Sequence, residues 1–99
     1  MISKRAVKNS NQVKVTFVLP EDHPYANGSF VVGDFSGWEV QANPLQKRSN
    51  GTYSSVVTLE KGKRYTFRYV SKDGYWFNAD DADAYEPNNF GGENGILLT

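Results

Sequence analysis

The chain has 99 residues, 38% of them hydrophobic, and a formal net charge of zero. At this size roughly two thirds of the unfolded surface is expected to be buried on folding, enough for one domain with one core and no covalent staple. Because there is no cysteine, disulfides, thiolate metal sites and cysteine nucleophiles are excluded, and the composition leans toward a reducing, cytoplasmic compartment.

Met1 to Lys8 carries charge but is not followed by an apolar run long enough for a signal peptide, and no stretch approaches a membrane span. A soluble intracellular protein with no membrane association is expected. Residues 1–12 read as a flexible arm or an added edge strand, and 13–99 as a single domain. Val13, Val15, Phe17 and Leu19 occupy every second position, the period of a half-buried strand that Pro20 ends. Ser29 to Gly33 reads as a short buried strand. Tyr53 to Leu59 and Arg64 to Val70 read as two more, joined by a tight hairpin at Lys61-Gly62-Lys63. In the second of these, Tyr65, Phe67 and Tyr69 share one face, so Arg68 is sent to the other. Asp73-Gly74 supplies a turn, and Tyr75-Trp76-Phe77 starts another extended segment. From Asn78 to Asn94 the chain reads as a long polar loop, and Gly95 to Leu98 as the closing strand. Several short strands, frequent turns and no amphipathic helix give an all-β fold, an immunoglobulin-like antiparallel β-sandwich.

Charge is uneven along the chain. Residues 1–72 carry all eleven Lys and Arg against five acids and residues 73–99 carry six acids and no base, so the two parts stand at +6 and −6. There is no dense basic run or nucleic-acid motif, which argues against a nucleic-acid partner.

Catalytic and metal chemistry find little material. His23, in Glu21-Asp22-His23-Pro24, reads as a solvated turn residue without the orienting partner and nucleophile of a triad. Asp80, Asp81, Asp83 and Glu86 lack the glycine and the closing acid of an EF-hand loop, so a solvated acidic loop is expected, with a structural calcium ion as the secondary reading. Two carboxylates held across a cleft, as glycoside hydrolysis needs, are hard to build in so small a chain. Gly91-Gly92-Glu93-Asn94-Gly95 lacks the strand, lysine and helix of a phosphate loop. No enzyme, no metal and no cofactor are therefore expected.

Binding remains. Trp38 and Trp76 sit in turn-rich segments, close in sequence to residues with amide and guanidinium groups. A pyranose ring offers a C–H face to an aromatic plane and hydroxyls to such groups, so Trp38, Trp76, Arg68 and Asn94 suit a sugar ligand. The other reading of the same residues is that one indole covers the core edge while Arg68 pairs with an acid of the 80s segment.

One ordered series of motifs goes further. Val31-Val32-Gly33-Asp34-Phe35-Ser36-Gly37-Trp38 is followed by Pro44-Leu45, Gly51-Thr52-Tyr53, Tyr65-Thr66-Phe67-Arg68-Tyr69-Val70, Asp73-Gly74-Tyr75-Trp76 and Asn89-Phe90-Gly91-Gly92-Glu93-Asn94. This series closely resembles the family 48 carbohydrate-binding module, the isoamylase N-terminal or early-set domain, from Val13 to Leu98. Relatives of that module occur in glycogen branching and debranching enzymes and in the glycogen-binding β subunit of AMP-activated protein kinase. The resemblance implies a noncatalytic module for α-1,4-glucans such as glycogen, starch or maltooligosaccharides. It implies that Trp38 and Trp76 stack on glucose, that Arg68 stands where the kinase subunit has a lysine that bonds sugar hydroxyls, that Asn94 is the asparagine of the last loop, and that Phe90 replaces a leucine wedge. Gly92 stands where the kinase subunit has a threonine hydroxyl. The alternative is a protein-docking module that keeps the early-set fold and associates with a glycogen- or starch-metabolising enzyme or regulator.

Overall fold

The computed structural model describes residues 1–88 and 91–99. Its strands are β1 (Ile2–Ala6), β2 (Gln12–Leu19), β3 (Phe30–Gly33), β4 (Asn43–Pro44), β5 (Gln46–Lys47), β6 (Tyr53–Glu60), β7 (Arg64–Val70), β8 (Trp76–Phe77), β9 (Ala84–Pro87) and β10 (Glu93–Leu98), with one 3-10 turn at Asp34–Ser36. They form two antiparallel sheets. One has the order β1-β2-β6-β5; the other runs β4-β3-β7-β10-β9, and β8 adds to β7. The fold is an immunoglobulin-like β-sandwich.

The alternation in β2 decides which way the first sheet faces. Val13, Val15, Phe17 and Leu19 are buried, while Gln12 and Lys14 on the opposite face are exposed. Phe17 lies at the centre of the core, 5.1 Å from Phe67 and 6.4 Å, edge-on, from Tyr69. From the second sheet Val31, Phe67, Tyr69 and Leu97 complete that layer. Each such side chain contributes roughly 1.5–3 kcal/mol by leaving water, so the period-two pattern is enforced by burial.

Lys61-Gly62-Lys63 is a crossing and not a hairpin, since β6 and β7 lie in different sheets. Leu59 enters the core from one sheet, and Phe67 and Tyr69 enter it from the other. Pairing partners are available elsewhere: β6 pairs with β2 along its whole length, and β7 pairs with β3 and β10. Thr99 stitches the crossing, its hydroxyl donating to the Glu60 carbonyl at 2.5 Å and accepting the Lys63 N–H at 3.0 Å.

Within the stretch expected to be a structureless loop, Ala84–Pro87 forms β9 against β10. This edge strand is exposed or half-buried throughout, so neither face leaves an apolar alternation to read. Ile2–Ala6 pairs with β2 as the edge of the first sheet. His23 is half-buried, not simply solvated, with its ring stacked on Phe77 at 5.3 Å. Among the described residues, no helix is long and apolar enough to cross a membrane.

Candidate functional site

β7 builds the site's floor. Its inward residues Phe67 and Tyr69 fix Arg68 on the outer face of the second sheet, in the same row as Val32 of β3. A turn at Ser71–Tyr75 then returns the chain as β8. The Ser71 carbonyl accepts the Gly74 N–H at 2.9 Å, and Gly74 takes φ +83°, a value that glycine adopts without cost. Trp76 thereby pairs with Val70 and shares the face of Arg68, whose guanidinium carbon lies 5.9 Å from the indole centroid. Arg68 Nε donates to Asn78 Oδ1 at 3.0 Å, and Asn78 Nδ2 donates to the Glu93 carbonyl at 2.9 Å. Held by one edge, the guanidinium leaves its two terminal nitrogens without a hydrogen-bond partner among the described residues.

Trp38 reaches the same face from the turn after β3. Its N–H donates to the Gly33 carbonyl at 2.9 Å, and its backbone sits at φ +60°, a left-handed conformation unusual for a bulky side chain. Two anchors hold that turn on β7. The Asp34 carboxylate accepts both the Thr66 N–H and the Thr66 hydroxyl at 3.2 Å. Gly33 lies so close that a β-carbon there would meet the Thr66 carbonyl oxygen at 2.6 Å and the Phe35 ring at 2.4 Å.

Asn94 comes from β10. Its Oδ1 accepts the Asn88 Nδ2 at 3.2 Å, while Asn88 also brackets Gly92, accepting its N–H through Oδ1 at 3.1 Å and donating its own N–H to the Gly92 carbonyl at 2.8 Å. Trp38, Arg68, Trp76 and Asn94 thus line one open groove of about 1040 Å³. The two indoles are 37% and 38% exposed, so neither is a core side chain. Phe90, the remaining expected site residue, lies outside the described residues. Gly92 lines the groove, and a β-carbon there would stand 3.7 Å from Arg68 Nη1, an ordinary contact. Val40, Pro87 and Asn88 line it as well, and among the described residues no acidic side chain does. Sequence reasoning passed over these three and the Arg68 brace Asn78. Asn78 and Asn88 look like any loop amides until β9 and β10 bring their partners close.

The acids of the 80s segment serve as tethers. Asp81 Oδ2 accepts the Ile2 N–H at 2.8 Å, and Asp83 Oδ2 accepts the Leu98 N–H at 2.7 Å and the Lys4 ammonium at 2.6 Å. Burial raises the Asp83 pKa, but these two hydrogen bonds and the Lys4 charge outweigh it and hold the carboxyl below its ordinary range. Glu86 pairs with Arg64 at 2.8 Å. Among the described residues no group of three or more His, Asp or Glu side chains comes together to hold a metal ion.

An antiparallel sandwich whose outer face carries an open groove with two part-exposed indoles and a braced guanidinium has the build of a small binding module. The chain belongs to the carbohydrate-binding module 48 (isoamylase N-terminal domain) family, which it matches over residues 8–86. This is a family of noncatalytic modules, and carbohydrate binding is its class of function. The chain is 40% identical over 52 residues to a 1,4-alpha-glucan branching enzyme of Xanthomonas campestris, a match covering 52% of this chain and 7% of the enzyme. It is 36% identical over 52 residues to the corresponding enzyme of Xanthomonas oryzae, again 52% of the chain and 7% of the enzyme. A 1,4-alpha-glucan branching enzyme of Prochlorococcus marinus is 28% identical over 80 residues, 80% of this chain and 10% of the enzyme. The chain thus spans a tenth or less of the length of these relatives.

Proposed function

We propose that the chain binds α-1,4-glucans, including glycogen, starch and maltooligosaccharides, in the groove on the second sheet. Trp38 and Trp76 stack on glucose rings, and Arg68 and Asn94 hold the hydroxyl edge. The family resemblance assigns Phe90 an apolar contact with the sugar. The observation that carries this reading is the convergence of Trp38, Arg68, Trp76 and Asn94, drawn from separated stretches of sequence, on one groove that no acid lines among the described residues. The free guanidinium nitrogens suit sugar hydroxyls, and the indole faces suit pyranose C–H surfaces.

Each stack should contribute roughly 1–3 kcal/mol, on the scale measured for bases on aromatic side chains. After association costs, a single site gives a weak complex, so a branched polymer that engages several modules is held more firmly than a short oligosaccharide. The relatives are 1,4-alpha-glucan branching enzymes in which the matched part is a small fraction, which favours an accompanying role beside an enzyme that acts on the same polymer. The cysteine-free composition suits a cytoplasmic setting for both.

Calorimetric titration with maltoheptaose and cosedimentation with glycogen test the proposal. Trp38→Ala and Trp76→Ala should each weaken binding by roughly tenfold or more. Parent protein that gives no heat and stays in the supernatant, or variants that bind as the parent does, would sink it.

A further inference from the structure

A second depression, of about 550 Å³, opens at one end of the sandwich, between the segment following β2 and residues 78–81. Its size lies within the range of small-ligand pockets, roughly 300–1,000 Å³. Tyr69 forms part of its wall. The ring is fully buried and stacks on Phe77 at 5.3 Å, yet the hydroxyl has no hydrogen-bond partner among the described residues. A buried hydroxyl left unpaired costs about 1–3 kcal/mol, and the depression that Tyr69 borders is the side from which a partner can reach it.

The surrounding groups define what that partner offers. Among the described residues Asp80 has no hydrogen bond, and Asp81 leaves one oxygen without one while the other accepts the Ile2 N–H and lies 3.8 Å from the Met1 ammonium, which itself donates to the Val18 carbonyl. His23 Nδ1 accepts the Tyr25 N–H at 3.1 Å, which places the proton of the neutral ring on Nε2 and makes that nitrogen a donor. Burial, with the Asp81 and Asp80 charges, raises the Tyr69 pKa far above 10.0, so its hydroxyl keeps its proton and remains a donor as well. Leu19, Pro20 and Ala79 supply apolar surface between these polar groups.

The free set therefore combines carboxylate acceptors with O–H and N–H donors. An ammonium could satisfy the carboxylates but has no lone pair for Tyr69 or His23. An anion could accept from both but would meet two carboxylates. A polyol gives and accepts at once and lays its C–H face on the apolar floor. We infer that this depression is a second carbohydrate site, taking a single hexose unit whose hydroxyls bond Tyr69, His23, Asp80 and Asp81. The choice of a sugar also rests on the family membership; the position is independent of the groove. Asn78 stands between the two, lining the depression while its amide oxygen accepts from Arg68. Two sites on one chain would let a branched glucan engage it twice.

The test is a titration of the ¹⁵N-labelled full chain with maltotriose, read residue by residue. Amides of His23, Ala79, Asp80 and Asp81 should shift in the parent and equally in Trp76→Ala, which disables only the groove. In Tyr69→Phe, which removes one oxygen atom, those shifts should need roughly fivefold more sugar, the worth of one hydrogen bond, while the groove amides respond as in the parent. Asp80→Ala, an exposed substitution, should weaken the same site if Tyr69→Phe fails to fold. Pocket amides that stay still at saturation of the groove overturn the inference. So does a Tyr69→Phe variant that binds as the parent does and merely melts higher, the result if the hydroxyl were only an unpaired burden. Shifts in the pocket but none in the groove would sink the groove reading and leave this one standing.

Discussion

The outer faces of the two sheets differ more than their strand patterns do. On the first sheet, Arg5 pairs with Lys14, Ser3 with Thr16 and Thr16 with Val56, which is 50% exposed, and none of these side chains lines the groove or the second depression. On the second, the row through Val32 and Arg68 is overhung by the Gly33–Trp38 turn, by β8, and by Asn88 and Gly92, which bond each other. A flat antiparallel sheet offers hydroxyls and charges but no concavity. What makes the second face a candidate site is that β7 has partners on both edges and a turn anchored across its outer surface.

The largest way to break that difference is to dislodge the anchor. Gly33→Ala places a β-carbon against a backbone oxygen and a packed ring, neither of which can retreat freely. A loss of roughly 1–3 kcal/mol is expected, the usual range for overpacking, with glucan affinity falling because Trp38 is carried on the displaced turn. Val56→Ala on the bare face should leave both quantities unchanged, within about 0.5 kcal/mol. Urea unfolding and maltoheptaose titration of the two variants check this; equal behaviour would show that the turn does not position the site.

Trp38→Gly sharpens the contrast between holding the fold and holding a ligand. The left-handed backbone at Trp38 costs the native state roughly 1–2 kcal/mol, which glycine relieves. Glycine also frees the unfolded chain and surrenders the indole's partial burial, so these effects oppose one another. Stability within about 1 kcal/mol of the parent is expected, alongside a roughly tenfold or greater loss of glucan affinity. A strained bulky residue that stability does not require is best explained by what it binds. A variant that loses both properties would instead make Trp38 a packing residue.

How much of this was legible in sequence follows the same division. β2 and β7 alternate because one face of each is buried, so their apolar positions announce the core, and Arg68 is placed by the aromatics on either side of it. The two tryptophans and Asn94 sit within motifs whose order carries the family resemblance. β9 left no trace, since an edge strand exposed on both faces has no periodic signal. The crossing at Gly62 looked like a hairpin because a short turn between two strands has the same local chemistry whether they pair or face each other; only the distant pairing of β6 with β2, and of β7 with β3 and β10, decides it. The braces Asn78 and Asn88 were invisible because each bonds to a partner fixed by the returning strand β10.

The smallest expected effect concerns the tether of the acidic segment to the first sheet. Asp83 links β10 to β1 by accepting the Leu98 N–H and the Lys4 ammonium, and its folded pKa lies below the ordinary 3.8. The unfolded chain therefore takes up the proton first as pH falls. The tether's contribution is complete above the unfolded value and is lost as pH drops through the lower, folded one. Both side chains of the ion pair are 32% exposed, so solvent screening keeps the effect modest. Asp83→Asn keeps an acceptor for Leu98 but has no charge to titrate, so its unfolding midpoint should lie slightly below the parent's near pH 7 and converge with it once the pH has fallen below the lowered pKa of Asp83. Glucan binding near neutral pH should be the same in both proteins, because Asp83 does not line the groove. If the two midpoints stay equally far apart through the acid range, the Asp83 charge is not what ties β10 to β1.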